Sequence, residues 1–407
     1  MSNYNADVIV VGAGPAGSTA AYFLARAGVD VLLVEKNHFP RDKACGDSVA
    51  PGAVEVLERM GLLDWVEQQG YVRQTGLFLS SPNLTSVRIF PTRTARLPAY
   101  LIPRLELDER LAQQAVSAGA RLLEGTLVER LARMGPNEVR LFARRAGQML
   151  ELTCRLVLAA DGPHQSFTRS LGMVFSPPDA VAVRRYYEGV EGEPGLLELH
   201  WEKSVLPAYG FIFHMGNGRA NVGTGMFARD FHRLKPNLHE LLDRFANNNP
   251  YARKSLQNAR PLGRATGMPF RDDAERIHPV ADNVLLVGEA AGVGHPMSGE
   301  GIGPAMRSAE LAAQTALDAL QQGDVSARGL SDYARRFHAE FDAWHQSALL
   351  ARSLLTYPSA VNMAIRAAAR RHEVATLLHD ILLGLVSPAE MLKPGVALQV
   401  LLAGTVL

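Results

Sequence analysis

Residues 7–36 confine this chain to very few folds. An apolar β-branched run, Val8-Ile-Val-Val11, meets Gly12-Ala-Gly14-Pro-Ala16-Gly17; a helical pattern continues to Ala27, and a second apolar run, Val31-Leu-Leu-Val34, ends on Glu35 and Lys36. Strand, glycine turn, helix and strand in that order make a βαβ unit. Gly12 permits the tight turn, Gly14 lets backbone approach a pyrophosphate, and Gly17 lets the helix pack closely on the strands. The first-turn N–H groups of the helix have no internal partners and face the phosphates at the positive end of its dipole. Glu35 lies 23 residues after Gly12, a spacing that suits an acid accepting a ribose hydroxyl. The glycine pattern alone is common; in this context it specifies a dinucleotide site.

At 407 residues the chain exceeds one ordinary core, which predicts about two domains. With 47% hydrophobic and 20% charged residues it is an ordinary globular protein, and a formal charge of +1 gives no electrostatic case for nucleic acid. Cys45 and Cys154 fit neither a disulfide framework nor a zinc or iron–sulfur site. Histidines 278, 295, 338, 345, 372 and 379 offer no metal-ligand spacing, so no metal is expected, and a reducing, cytoplasmic setting follows. Val8 to Ala25 is uncharged for eighteen residues, the length of a membrane span, but the glycine turn divides it into strand and helix. No basic n-region with a cleavage site precedes it, so no secretory signal is expected. Pro394 to Leu407, uncharged for fourteen residues, is too short to span.

Further along, Pro51 and Gly52 open an amphipathic helix stopped at Gly61, strand-like runs cover 75–80, 87–90 and 100–102, and Pro103-Arg104 starts a helix to about Ser117. Apolar alternation recurs in 121–131, 138–143 and 150–160. Its last stretch, Leu-Val-Leu-Ala-Ala-Asp161-Gly162, reads as a buried strand returning to the nucleotide sheet. From 180 to 226, strands of period two divided by glycine turns, including Gly216-Asn217-Gly218, predict an antiparallel sheet forming the floor of a substrate pocket. Asn247-Asn-Asn-Pro250 reads as a breaker. Asn283 to Gly292 is another buried strand and turn, a long helix runs from Gly301 to Leu320, and the remainder is mostly helical with a break at Tyr357-Pro358.

The glycine motif with Glu35, then Asp161-Gly162, then Gly288-Glu289-Ala-Ala-Gly292, resemble the three fingerprints of FAD-dependent oxidoreductases of the aromatic-hydroxylase type. Within them, His295-Pro296-Met-Ser-Gly299-Glu300-Gly301-Ile302 is similar to the geranylgeranyl reductase family, as are the loop Lys43-Ala-Cys45-Gly46-Asp47 and Tyr209-Gly-Phe211-Ile-Phe213-His214. Phe211 stands where that family usually has Trp, His214 where it has Pro, and Glu289 where most members have Asp.

The resemblance implies an α/β fold: a Rossmann-like FAD-binding domain (1–75, 100–170 and 276–325), an antiparallel β-sheet substrate domain (76–99 and 171–275) and a helical C-terminal region (326–407). It implies FAD held by Gly12, Gly14, Ala16, Gly17, Glu35, Lys36, Arg41, Cys45, Gly46, Asp47, Arg104, Val128, Asp161, Gly162, Gly288, Glu289, Gly299, Gly301 and Ile302. Val128 would meet adenine through its backbone, Arg104 the ribityl and phosphate region, and Glu289 a ribityl hydroxyl. Tyr209, Phe211 and Phe213 alternate on one strand face and, with Pro296, would hold an apolar substrate. Tyr209, Cys45 or water would supply a proton, Cys45 as a thiol partly activated beside Lys43.

The implied reaction is hydride transfer from reduced FAD to C=C bonds of a polyprenyl chain carried on a lipid, a diphosphate or a quinone, with NAD(P)H or ferredoxin as electron donor. Leu349 to Leu355 and Leu377 to Leu385 are candidate slot walls. Arg366, Arg370 and Arg371 could touch anionic lipid at a membrane surface, though a plain surface helix explains them more simply, and His338, Glu340, Asp342 and His345 read as a solvated helix face. The alternative enzyme is an FAD/NAD(P)H monooxygenase hydroxylating an aromatic or polyketide-like substrate; a flavin-bound lipid carrier without turnover is the non-enzymatic reading. The tryptophans, Trp65, Trp201 and Trp344, do not form the halogenase Trp-x-Trp motif.

Overall fold

The computed structural model describes residues 6–91, 94–174, 176–203, 205–206 and 208–405, so residues 1–5 and 406–407 of the expected first and last segments lie outside the described residues. Strand Val8–Val11, helix Pro15–Arg26 and strand Val31–Val34 form the expected βαβ unit. Val8–Val11 sits centrally in a six-stranded sheet, between Val31–Val34 and Leu156–Ala159; Arg121–Leu123 lies at one edge, Val284–Leu286 and Val280–Ala281 at the other. All neighbours are parallel except the last pair. Val8–Val11, Val31–Val34, Leu156–Ala159 and Val284–Leu286 are buried along their whole length, as apolar strands covered on both faces must be. Helix Ile302–Gln322 packs on Pro15–Arg26.

The alternating runs at 121–131 and 150–160 each prove to hold two strands. Arg121–Leu123 and Leu156–Ala159 belong to the nucleotide sheet, whereas Thr126–Gly135 and Gln148–Cys154 flank Glu138–Arg145 in a separate antiparallel sheet.

The second large sheet has seven strands in the order Arg260–Phe270, Ala180–Glu188, Arg219–Phe227, Gly210–Gly216, Leu196–His200, Gly76–Ser80, Ser86–Ile89. Only Leu196–His200 and Gly76–Ser80 run parallel. Asn217 and Gly218 both have positive φ, the two-residue hairpin turn that the sequence signals. Arg260–Phe270 shows no alternation because Pro261, Gly263, Gly267 and Pro269 interrupt it; as an edge strand it tolerates them. The expected breaker at Pro250 instead starts helix Pro250–Leu256, with Asn249 Oδ1 capping the N–H groups of Tyr251 and Ala252 at 3.0 and 3.1 Å.

Helices Ser331–Leu355, Pro358–Arg370, His372–Leu382 and Pro394–Gly404 complete the chain. Val361, Ile365, Leu378, Leu382 and Val400 join Leu77, Leu197 and Phe213 in one apolar cluster, which docks these helices on the seven-stranded sheet. Two of the arginines considered for lipid contact have a structural task instead. Arg366 Nη1 donates to Gly404 O at 2.9 Å and Arg370 Nη1 to Ala403 O at 2.9 Å, satisfying the last carbonyls of helix Pro394–Gly404. His345 is buried against Glu275 at 3.5 Å, so the helix face expected to be solvated is so only around His338, Glu340 and Asp342. Among the described residues, no helix is long and apolar enough to cross a membrane.

Candidate active site

The glycine turn is locked in place by contact. A Cβ on Gly12 would lie 2.3 Å from Ala160 O, and one on Gly17 would lie 1.8 Å from Gly12 O, so neither position accepts a side chain. A Cβ on Gly14 would meet only Arg41 Nη2, at 3.9 Å, leaving that stretch of backbone open to a ligand. Gly17 and Gly288 lie outside the cavity lining and serve packing; a Cβ on Gly288 would come within 2.6 Å of Ala16 Cβ. Glu35, buried at the end of its strand, accepts from Ala13 N at 3.0 Å and Asn37 N at 3.0 Å, and Arg41 Nη2 donates to it at 3.3 Å. Val128 and Lys36 line the same end of the cavity.

Arg41 Nη1 donates to Asp108 Oδ2 at 2.6 Å, and Arg104 grips the same carboxylate through Nε at 2.6 Å and Nη2 at 2.7 Å. Burial works against Asp108's charge, but the two guanidinium groups outweigh it and hold its pKa low. Asp108 therefore sets both arginines toward the cavity, which they line. The sequence reading missed it, although Arg104 and Asp108 form an i,i+4 pair on one helix.

Asp47 departs from the expected cofactor role. It lies outside the cavity lining, fully buried, and accepts from Tyr186 Oη at 2.6 Å, Asn221 Nδ2 at 2.8 Å and Arg104 N at 3.3 Å. Burial pushes it up to about 6 despite those donors. Asn221 Nδ2 also donates to Cys45 O at 2.7 Å, so Asp47 and Asn221 fasten the Cys45-Gly46 turn to the seven-stranded sheet. The expected activation of Cys45 by Lys43 does not occur. Lys43 Nζ turns to Glu289 Oε2 at 2.9 Å, and burial raises the Cys45 thiol more than Arg104 and Lys43 lower it, so Sγ keeps its proton at neutral pH.

Gly46 faces the aromatic strand: a Cβ there would lie 2.7 Å from the Phe213 ring. Phe211 and Phe213 pack with tilted rings 4.7 Å apart between centroids, and Tyr209, one step beyond, packs on Trp201 at 5.6 Å. All three of the alternating aromatics line the cavity, with Leu77, Leu197 and Leu199 beside them. Tyr209 is not free to act as an acid: its hydroxyl donates to Ser298 O, and burial raises its pKa.

The third loop closes the site. Gly299 comes close to the Tyr209 hydroxyl, a Cβ there being 3.4 Å from it. Gly299, Gly301, Ile302 and Pro296 line the cavity, as does Glu300, which the sequence reading passed over. Glu300 Oε1 accepts from Gly303 N at 2.7 Å at the start of helix Ile302–Gln322, while burial pushes its carboxyl up to about 7. Trp344 Nε1 donates to His295 Nε2 at 2.8 Å, and Ser298 meets His295 Nδ1 through its N–H at 3.1 Å and its Oγ at 2.9 Å; burial drops His295 to about 3, so it stays neutral. Asp161 and Gly162 line the cavity, but the Asp161 carboxylate caps helix Ser166–Ser170, accepting from Phe167 N at 2.9 Å.

The cavity measures about 530 Å³, and its lining includes Glu35, Lys36, Cys45, Leu382 and Leu383. Of the expected C-terminal walls, the second contributes those two leucines; the first contributes Arg352, while Leu350 and Leu354 are exposed. FAD fits what is present. Gly14 leaves backbone open for a diphosphate, and Glu289 Oε1 is buried without a partner where a ribityl hydroxyl would donate.

A dinucleotide fold whose open loops face an apolar slot built on a second sheet defines an FAD-dependent oxidoreductase. Residues 5–187 match the FAD binding domain family. A menaquinone reductase of Mycobacterium tuberculosis is 33% identical over 364 residues, covering 87% of this chain and 85% of the relative. Digeranylgeranylglycerophospholipid reductase 1 of Methanothermobacter thermautotrophicus is 32% identical over 337 residues, 81% of each chain. The crystal structure of a geranylgeranyl bacteriochlorophyll reductase-like protein from Thermoplasma acidophilum shares the fold, with a TM-score of 0.80, 22% identity and coverage of 95% of this chain and 98% of that one. The chain belongs to the geranylgeranyl reductase family of FAD-dependent oxidoreductases.

Proposed function

We propose that this enzyme hydrogenates C=C bonds of a polyprenyl chain carried on a lipid or quinone. The observation that carries the reading is that one cavity is lined both by the glycine turn and by Tyr209, Phe211, Phe213, Leu382 and Leu383, a mainly apolar set interrupted by the pair Asp272 and Arg352. The relatives named above as reductases of menaquinone and of a digeranylgeranyl lipid support it.

Bound reduced FAD supplies a hydride. Gly12, Gly14 and Ala16 with the first-turn N–H groups would hold its diphosphate, Glu35 and Lys36 its ribose, and Val128 its adenine. Arg41, Arg104 and the free Oε1 of Glu289 would hold the chain between, and Cys45, Gly46 and Gly299 to Ile302 would flank the ring. An isolated alkene is a poor hydride acceptor, so the slot would have to place it accurately and exclude water, a task that would fall to the apolar rings of Phe211 and Phe213. Cys45, whose thiol keeps its proton, lines the same cavity, and with Tyr209 engaged by Ser298 it is the freer of the two side chains proposed as acids.

Electrons would come from an external donor, NAD(P)H or ferredoxin, because the chain carries one dinucleotide fingerprint. Peripheral membrane contact would run through helix Pro394–Gly404, whose Leu398, Leu401 and Leu402 are 55%, 50% and 66% exposed. The FAD-loaded protein, reduced without oxygen, tests the reading. Geranylgeraniol should restore the oxidised flavin spectrum promptly, whereas substrate-stimulated oxygen uptake would assign a hydroxylase instead.

A further inference from the structure

One charged pair lines the same cavity without belonging to the glycine turn or its arginines. Asp272 is fully buried, and Arg352 reaches it from helix Ser331–Leu355 to form an ion pair. Arg352 Nη1 also donates to Pro296 O at 3.4 Å, and its guanidinium lies 4.4 Å over the Phe227 ring. Both residues line the cavity among Phe227, Met268 and Phe270. Asp272 Oδ1 is buried and lacks any hydrogen-bond partner in the chain. A carboxylate oxygen in that position is costly unless something that enters the cavity meets it. Burial pushes Asp272 up to about 7 against the pull of Arg352, so the ion pair is complete only above that pH.

The charges around the slot cancel. Arg352 is matched by Asp272, Arg184 by Asp42 at 2.6 Å and Lys43 by Glu289 at 2.9 Å. Behind Asp272, Arg271 pairs with Asp273, and Arg276 with Asp179 at 3.0 Å and Glu275 at 3.2 Å. A phosphate arriving here would have to displace a carboxylate from its cation in a dry site, which costs more than it returns. A hydroxyl can accept from the spare donors of Arg352 and donate to the unpartnered oxygen of Asp272, and a carbonyl oxygen can accept from Arg352, with no such displacement.

We infer that Asp272 and Arg352 seat the polar head of the substrate, and that this head is uncharged: an oxygen-bearing ring or alcohol, not a phosphate ester. The inference rests on the reading that the slot holds a prenyl chain. Its test is equilibrium binding at about pH 8.5, where Asp272 is ionised, to the oxidised FAD-loaded protein, followed by the flavin spectrum, with three ligands of one chain length: a geranylgeranyl quinone, geranylgeraniol and geranylgeranyl diphosphate. The quinone and alcohol should bind at least about ten-fold tighter than the diphosphate. Asp272→Asn, which leaves Arg352 unneutralised, should shift that ratio about ten-fold toward the diphosphate. Equal or tighter diphosphate binding by the wild type overturns the inference, as does an unchanged ratio in a folded, yellow Asp272→Asn. Should that variant not retain FAD, the wild-type ranking decides alone. Head preference without hydrogenation would sink the reductase reading and leave this one standing; preferential hydrogenation of the diphosphate would do the reverse.

Discussion

The two faces of the seven-stranded sheet come from alternate residues of the same strands and have opposite chemistry. Leu77, Leu197, Leu199, Phe211 and Phe213 face the slot. Ser80, Glu198, His200 and His214 lie between them in sequence and point away, where His200 stacks on Tyr251 at 5.8 Å and packs on Phe245. On that face Ser80 Oγ meets His200 Nδ1 at 2.8 Å, His200 Nε2 donates to Glu198 Oε2 at 3.1 Å and His214 Nε2 to Glu198 Oε1 at 2.5 Å. Serine, histidine and glutamate in a chain look like hydrolytic machinery, yet each is buried under helices Leu238–Asn248 and Pro250–Leu256. Period two decides which face meets the cofactor, and the reactive-looking side chains are on the wrong one. Their polarity holds the sheet to its helices, while the slot face stays apolar for the substrate.

The strongest way to break this contrast is Glu198→Ala, which strands two buried imidazole donors and should cost about 3 kcal/mol or more in urea unfolding. The fraction that remains folded should keep FAD and turnover; loss of turnover in fully folded protein would make the polar face chemical after all. A pH series sharpens the same point. Burial alone would raise the Glu198 pKa, but the hydrogen bonds from His200 and His214 outweigh it and bring it from 4.5 to about 2. Because the folded value is the lower one, this stabilisation is complete above about pH 4.5 and lost as pH falls through about 2. It amounts to roughly 3 kcal/mol, and Glu198→Gln should flatten that part of the stability curve.

On the slot face the readout should be reversed. Phe211→Ser should lower kcat/KM for a prenyl substrate by about ten- to a hundred-fold, chiefly through KM, with a smaller loss of thermal stability than Glu198→Ala. A variant that loses stability but not kcat/KM would return Phe211 to plain core packing. The smallest effect is expected from Tyr209→Phe, which keeps the ring and removes a hydroxyl already committed to Ser298 O. A change in kcat below about three-fold fits that geometry; a loss of a hundred-fold would make Tyr209 the proton donor.

This contrast also marks how far the sequence could be read. Gly12, Gly14, Gly17 and Glu35 were legible because a turn, a helix start and a strand end impose their residue types locally. The stripe of Tyr209, Phe211 and Phe213 was legible for the same reason, as was the hairpin at Asn217. What depends on partners remote in the chain was not. Lys43 looked poised to activate Cys45 two residues away, but its carboxylate partner, Glu289, comes from 246 positions on. Asp47 stood within a cofactor-loop motif, yet Tyr186 and Asn221 draw it into the sheet. Arg366 and Arg370 read as surface cations because the helix end they cap arrives more than thirty residues later. Strand Arg260–Phe270 was invisible because edge strands tolerate the prolines and glycines that normally argue against a strand.

The central claim is that the slot face presents a prenyl double bond to the cofactor held by the glycine loops. Single-turnover mass analysis tests it directly: FAD-loaded protein, reduced in the absence of oxygen, is mixed with geranylgeraniol and the product is weighed. A gain of two hydrogens on the chain, accompanied by flavin oxidation, is the predicted result. An unaltered chain beside flavin that stays reduced, in protein shown to bind the alcohol, would contradict it.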